Sequence, residues 1–179
     1  MTLRSLALGL FWCGVAGCGW TLVGYPVWLA TQSPRRWKTT SRRPSVSIIV
    51  PAYCEREALQ AKLRALSLLE YEDELLELIV VVDHDVETAR GARETRPDAN
   101  VIFNPDRRGK LAAVLEAVDQ ARGEVVLLTD ANNLLAPQAL SAAVRHLGDE
   151  SIWGVTGQRH EQGGLYDRYE AMVRRLESI

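Results

Sequence analysis

The chain has 179 residues, 47% of them hydrophobic, which is enough for one domain with a real core. Its net charge of −2 conceals an asymmetry: six of the 21 basic residues and none of the 23 acidic ones fall in residues 1–44, so the remainder carries −8. An acidic domain without a basic stripe argues against nucleic acid as a partner. Three cysteines do not make a disulfide framework, and His84, His146 and His160 stand in no metal-type spacing with them.

The first element in chain order is an uncharged stretch from Leu6 to Gln32. Its length suits a bilayer span, with Trp12, Tyr25 and Trp28 near the ends as interfacial anchors and Trp20 in mid-span. A cleaved signal peptide is the alternative, but the run is long for that role and the basic cluster lies behind it. Residues 1–32 therefore read as a single-pass anchor in the cell inner membrane. Only Arg4 precedes the span, whereas Arg35, Arg36, Lys38, Arg42 and Arg43 come after it. The positive-inside rule then places the C-terminal domain in the cytoplasm, where Cys54 stays reduced. Gly9, Cys13, Gly17 and Thr21 recur every four residues and suit either close helix approach or contact with lipid. Residues 33–44 form a basic connector, also suited to anionic headgroups.

The domain from residue 45 to 179 alternates strand and helix patterns. Val46–Val50 is a β-branched run leading into Pro51-Ala52-Tyr53-Cys54-Glu55. Apolar residues at Leu59, Leu63, Leu66 and Leu69 predict a helix, which the acidic run Glu70–Glu77 ends. Leu78–Val82 predicts a second strand, closing on Asp83-His84-Asp85, and Val86–Arg96 a charged helix stopping before Pro97. Val101–Phe103 is a short strand and Asn104-Pro105-Asp106 a turn. Leu111–Ala121 has helical spacing, with Gly123 closing that helix. Val125–Leu128 reads as a strand buried on both faces. A helix runs from Pro137 to Gly148, a short strand covers Ile152–Val155, and Tyr166–Ile179 is an amphipathic helix.

This alternation predicts an α/β fold with a mostly parallel sheet of right-handed crossovers. Ligands of such sheets sit outside the carboxyl ends of the strands. Three strand ends here finish in polar groups. After the last, Asp130 and Asn132 point the same way and offer hard oxygen ligands suited to Mg²⁺ or Mn²⁺. An Asx-rich turn is the bland explanation for either residue alone. Asp83 also suits helix capping, and Glu55 a first-turn helix acid. A receiver-like domain using Asp83 and Asp85 is the runner-up fold. It leaves the Thr129–Asn132 strand end and the membrane anchor unexplained.

The segments Val46–Glu55, Val80–Asp85, Arg108-Gly109-Lys110 and Thr129–Asn132 resemble, in order and spacing, the motifs of family-2 glycosyltransferases with the GT-A (Rossmann-like) fold. Tyr166–Glu170 and Arg174–Ser178 are similar to the next segment of the membrane-associated bacterial members. The resemblance implies an inverting transferase taking a sugar from a nucleotide-diphosphate donor, most simply UDP-linked. The acceptor would be a polysaccharide or a lipid-linked glycan. Pro51, Ala52, Glu55, Asp83, Asp85, Lys110 and Asp130 would bind the nucleotide-sugar, with Asp83 on the base and Lys110 on a phosphate. Asp130 and Asn132 would hold the metal. Cys54 stands where that family usually has Asn, His84-Asp85 where it has Gly-Ser, and Asn132 where a second acid is common. The family's general base belongs to a motif expected beyond Ile179. The domain therefore reads as an incomplete donor-binding half, needing a missing C-terminal half or a second chain. An inactive, membrane-tethered nucleotide-sugar-binding subunit is the alternative from another class.

Overall fold

The structure is a computed structural model that describes residues 3–32, 38–157, 169, 172 and 173. Contacts group Met1–Trp37 with Gln158–Ile179 in one unit and Lys38–Gly157 in another.

In the first unit, α1 (Leu3–Gly19), a π turn (Trp20–Gly24) and α2 (Tyr25–Ala30) run one after another. The π turn has a local cause: the ring of Pro26 conflicts with the carbonyl one turn back and Pro26 donates no amide. By length and composition, Arg4–Ala30 is long and apolar enough to cross a membrane. Of the predicted helix Tyr166–Ile179, residues 169, 172 and 173 are described and are helical; the rest lies outside the described residues, as does connector segment 33–37.

The second unit holds β1 (Val46–Ala52), α3 (Arg56–Leu66), β2 (Leu76–Asp83), α4 (Val86–Thr95), β3 (Asn100–Asn104), α5 (Lys110–Gln120), β4 (Val125–Leu128) and α6 (Ala139–Val144). The four strands are parallel in the order β3-β2-β1-β4. Alternation along each strand divides the core. Val46, Ile48, Val50, Leu78, Val80 and Val82 face Leu59, Leu63 and Leu66 of α3, Ala89 and Ala92 of α4, and Leu140 and Val144 of α6. Ile49, Ile79 and Val81 face Ala113 and Ala117 of α5. The first two crossovers, through α3 and α4, thus lie on one face, and the third, through α5, on the other. The direction of winding reverses between β1 and β4, and such a reversal opens a crevice at the carboxyl ends of the two strands.

Three expectations need correction. β4 is not buried on both faces: Val126 is 44% and Leu128 49% exposed. Among the described residues it is an edge strand, and α5 packs over β1 and β2 rather than over it. Ile152–Val155 forms no strand; a turn bond joins Ile152 N to Asp149 O, and Trp153 is 96% exposed. A strand needs a ladder partner, and none pairs with this segment among the described residues. Gly123 does not cap α5, whose cap residue is Ala121. It instead allows close approach to β1: a Cβ there would lie 2.4 Å from Ser47 N. The helix expected over 137–148 is α6 continued by a 3₁₀ turn, Arg145–Gly148.

Candidate functional site

At the crevice between β1 and β4 lies an open cleft of about 310 Å³. Pro51 and Ala52 enter it from the end of β1, Tyr53 and Glu55 from just after it, and Asp83 from the end of β2. Arg107, Gly109, Lys110 and Ala113 line it at the start of α5, and Asp130, Ala131 and Asn132 after β4. Every candidate binding and metal residue except Asp85 therefore meets in one place. Asp85 caps α4, where it accepts hydrogen bonds from Glu87 N at 3.3 Å and from the Thr88 hydroxyl. Glu87 pairs with Arg56 at 3.0 Å.

Asp83 is buried, and its carboxylate accepts from Arg108 N at 3.1 Å and Gly109 N at 2.8 Å. Those bonds hold the basic loop against the end of β2. Gly109 turns at φ +86°, a left-handed conformation that glycine adopts without Cβ strain. Its successor Lys110, in the first turn of α5, places Nζ 2.5 Å from Asp130 Oδ1. Both partners are exposed, so the pair is screened by solvent and contributes little to stability.

The loop's other arginines divide their roles. Arg108 turns to Glu116 at 3.1 Å, and Glu116 also accepts from Asn104 Nδ2 at 3.0 Å. Arg107, not singled out in the sequence, faces the cleft and lies 4.5 Å from the ring centroid of Tyr53. Tyr53 ends the Pro-Ala-Tyr turn, so its place at a strand terminus was the available signal.

Two loop residues carry positive φ without being glycine: Cys54 at +51° and His84 at +56°. Asn and Gly suit such angles better than Cys, whereas His is among the residues that adopt them more often. His84 is braced by its amide on Asn104 O at 2.8 Å and by Nδ1, 2.5 Å from Pro105 O.

The donor set fits a hard divalent cation. Asp130 and Asn132 supply oxygen atoms to the same cleft, and Asp130 already draws a cationic group, the Lys110 ammonium. No cluster of three His, Cys, Asp or Glu side chains suited to a metal occurs among the described residues. The remaining positions would be filled by water or by oxygens of a ligand such as a diphosphate.

The profile of Glycosyl transferase family 2 matches residues 47–177. The chain belongs to that family. It is 28% identical over 151 residues to the dolichol-phosphate mannosyltransferase of Mycosarcoma maydis, an alignment covering 79% of this chain and 51% of that protein. A solved mannosyltransferase, PcManGT from Pyrobaculum calidifontis in complex with GDP-Man and Mn²⁺, is 29% identical and superposes with a TM-score of 0.69, over 84% of this chain and 46% of the other. Staphylococcus aureus TarS shares the fold at 23% identity and a TM-score of 0.54, over 66% of this chain and 23% of that one. The fold is thus of GT-A type, as the parallel sheet and its family membership indicate. The chain spans about half the length of the curated relative it matches.

Proposed function

We propose that residues 45–179 form the donor-binding half of a membrane-anchored glycosyltransferase that takes a sugar from a nucleotide-diphosphate donor. The observation that carries this reading is the meeting of Lys110, Asp130, Asn132 and Asp83 at one switch-point cleft. Lys110 and Arg107 offer positive charge to a diphosphate, and the N-terminus of α5 beside them favours an anion. Asp130 and Asn132 would hold Mg²⁺ or Mn²⁺. When bound, that cation supplies neutralisation of the departing diphosphate. Asp83 orders the basic loop through its two amide contacts and borders the space for the nucleobase. Pro51, Ala52 and Glu55 also line the cleft, whereas Asp85 caps α4 outside it.

The donor is most simply UDP-linked, by resemblance. A GDP-linked mannose donor is the second reading, favoured by the 29% identical structure that carries GDP-Man. The acceptor is a polysaccharide or a lipid-linked glycan, and a general base from beyond residue 179, or from a second chain, would complete the transfer. Residues 1–32 anchor the enzyme as a single pass in the inner membrane, residues 33–44 lie at the cytoplasmic headgroups, and the domain faces the cytoplasm. The apolar, uncharged run Leu6–Gln32 and the basic residues behind it support this orientation.

Calorimetry of the full chain in detergent, with UDP and with GDP, tests the reading. Mn²⁺ should tighten binding of the preferred nucleotide about tenfold or more. Asp130→Ala should remove that gain and leave the weaker metal-free binding. Equal affinity with and without Mn²⁺ would overturn the metal role, and GDP bound more tightly than UDP would select the second donor.

A further inference from the structure

Lys62 is fully buried, midway along α3. It stands in the core-facing stripe, between Leu59 and Leu66 and beside Leu63, all of them buried. An ammonium group in such surroundings is costly unless it is well paired. Burial pushes its pKa down to about 8, against the opposing pull of Asp130. An apolar side chain of similar volume would fill the same stripe without that cost.

The partners of Lys62 give its placement a purpose. Nζ donates to the Thr129 hydroxyl at 2.7 Å and to the carbonyl oxygen of Asn133. Between those two residues lie Asp130, Ala131 and Asn132. One buried cation thus grips both ends of the segment that carries the candidate metal ligands. Few other bonds are described for this loop: Thr129 N donates to Ile49 O at 3.1 Å, Asn133 N to Asp130 O at 3.3 Å, and the exposed Lys110 Nζ to Asp130 Oδ1 at 2.5 Å. The edge strand that leads into it is bare on one face, at Val126 and Leu128.

We propose that Lys62 is a positioning residue that fixes the spacing of Asp130 and Asn132 by tying down both ends of their loop. The proposal rests on the reading of Asp130 and Asn132 as metal ligands. Lys62 touches neither of them in the bonds described; it acts through Thr129 and Asn133. A loop held in its binding geometry loses little freedom when the cation arrives, whereas a released loop must be ordered at that moment. Outer contacts of this kind typically govern metal affinity by about 10–100-fold.

The experiment is a titration of the full chain in detergent with Mn²⁺, read by the electron paramagnetic resonance signal of the free ion, with saturating UDP or GDP. A wild-type chain in which the nucleotide gives no Mn²⁺ binding overturns the metal reading and this proposal with it. Given wild-type binding, Lys62→Met should weaken Mn²⁺ by about tenfold or more. Metal-free nucleotide affinity should stay within about twofold. Unchanged Mn²⁺ affinity in the folded variant overturns the proposal while leaving the metal reading intact. Should Lys62→Met fail to fold, the bond is tested from its other end. Thr129→Val keeps the shape and removes the acceptor, and Thr129→Ser keeps the oxygen. Weaker Mn²⁺ binding in the valine variant with rescue in the serine variant supports the role of Lys62. Equal affinity in the two overturns it.

Discussion

The amino ends and the carboxyl ends of the strands are both rich in polar groups, yet they use them differently. At the amino end the groups satisfy one another. Ser47 donates to Glu77 at 2.5 Å and accepts from Gly123 N at 2.8 Å, while Arg122 donates to Glu77 from its amide at 2.8 Å and from Nε at 3.1 Å. At the carboxyl end the pairing is looser and more exposed. Among the described residues, the Asp130 carboxylate bonds the exposed Lys110 at its Oδ1, and Arg107 lies over Tyr53 beside the cleft. All three described residues with positive φ, Cys54, His84 and Gly109, belong to this end. One end of the sheet is thus a closed network that favours stability, and the other is an open one that carries conformational strain, as functional sites commonly do.

Substitution at Gly123 gives the largest effect expected of this division. A Cβ would lie 2.4 Å from Ser47 N and 2.8 Å from both Ser47 Oγ and Val46 C. Two of those atoms are backbone of the central strand and cannot yield like a side-chain tip. Gly123→Ala should therefore cost about 3 kcal/mol, at the upper end of ordinary overpacking. Urea unfolding measures the loss, and calorimetry should find unchanged nucleotide affinity per folded molecule. A cost below about 1 kcal/mol, or a parallel fall in affinity, would break the division.

Ser47→Ala should come next, at about 1–2 kcal/mol, since it strips a buried partner from Gly123 N and from Glu77. It also carries a pH signature. Burial pushes the Glu77 carboxyl up, but the bonds from Ser47 and Arg122 outweigh it and hold the group below its usual 4.5. A carboxyl depressed in the folded state binds a proton more readily when unfolded. Its contribution is therefore fully present above pH 4.5 and is lost as the pH falls through the lower folded value. Urea midpoints measured from about pH 7 down to about pH 3 should drop less in Ser47→Ala than in wild type. Parallel acid limbs would show that Ser47 has no part in holding the carboxylate.

Much of the carboxyl-end site was legible in the sequence because Asp83, Asp130 and Asn132 closely follow apolar strand runs. Lys110 enters the cleft from the first turn of α5 and was marked by the family resemblance. What escaped has a physical reason in each case. Asp85 caps a helix with the same side chain that would suit a ligand role, and residue type does not separate the two uses. Gly123 looks like a helix stop, but its reason is a contact with β1, far away in the chain. The apolar run of β4 marks a strand without revealing that one face is uncovered. Lys62 was hidden because the leucine stripe around it already explained α3; a cation at a core-facing position was the signal. Arg107 and Arg108 are adjacent in sequence, and residue type does not tell which one faces the cleft and which pairs with Glu116.

The smallest expected effect lies at the strained end. Cys54 is exposed and sits at φ +51°, where a side chain with a free Cβ pays a steric penalty. Asn is enriched several-fold in that region because its short amide can bond locally, and the related family usually has Asn at this position. Cys54→Asn should raise stability by about 0.5 kcal/mol, or roughly 1–2 °C in Tm. A β-branched residue should do the opposite, because its second γ atom crowds the same carbonyl; Cys54→Val should lose about 1 kcal/mol or more. The contrast between the two variants isolates the backbone angle from the loss of the thiol, which both share. Differential scanning calorimetry of the pair decides the matter. Equal losses in Asn and Val would mean that the thiol itself, rather than the angle, sets stability here. The strain at this end of the sheet would then be confined to His84.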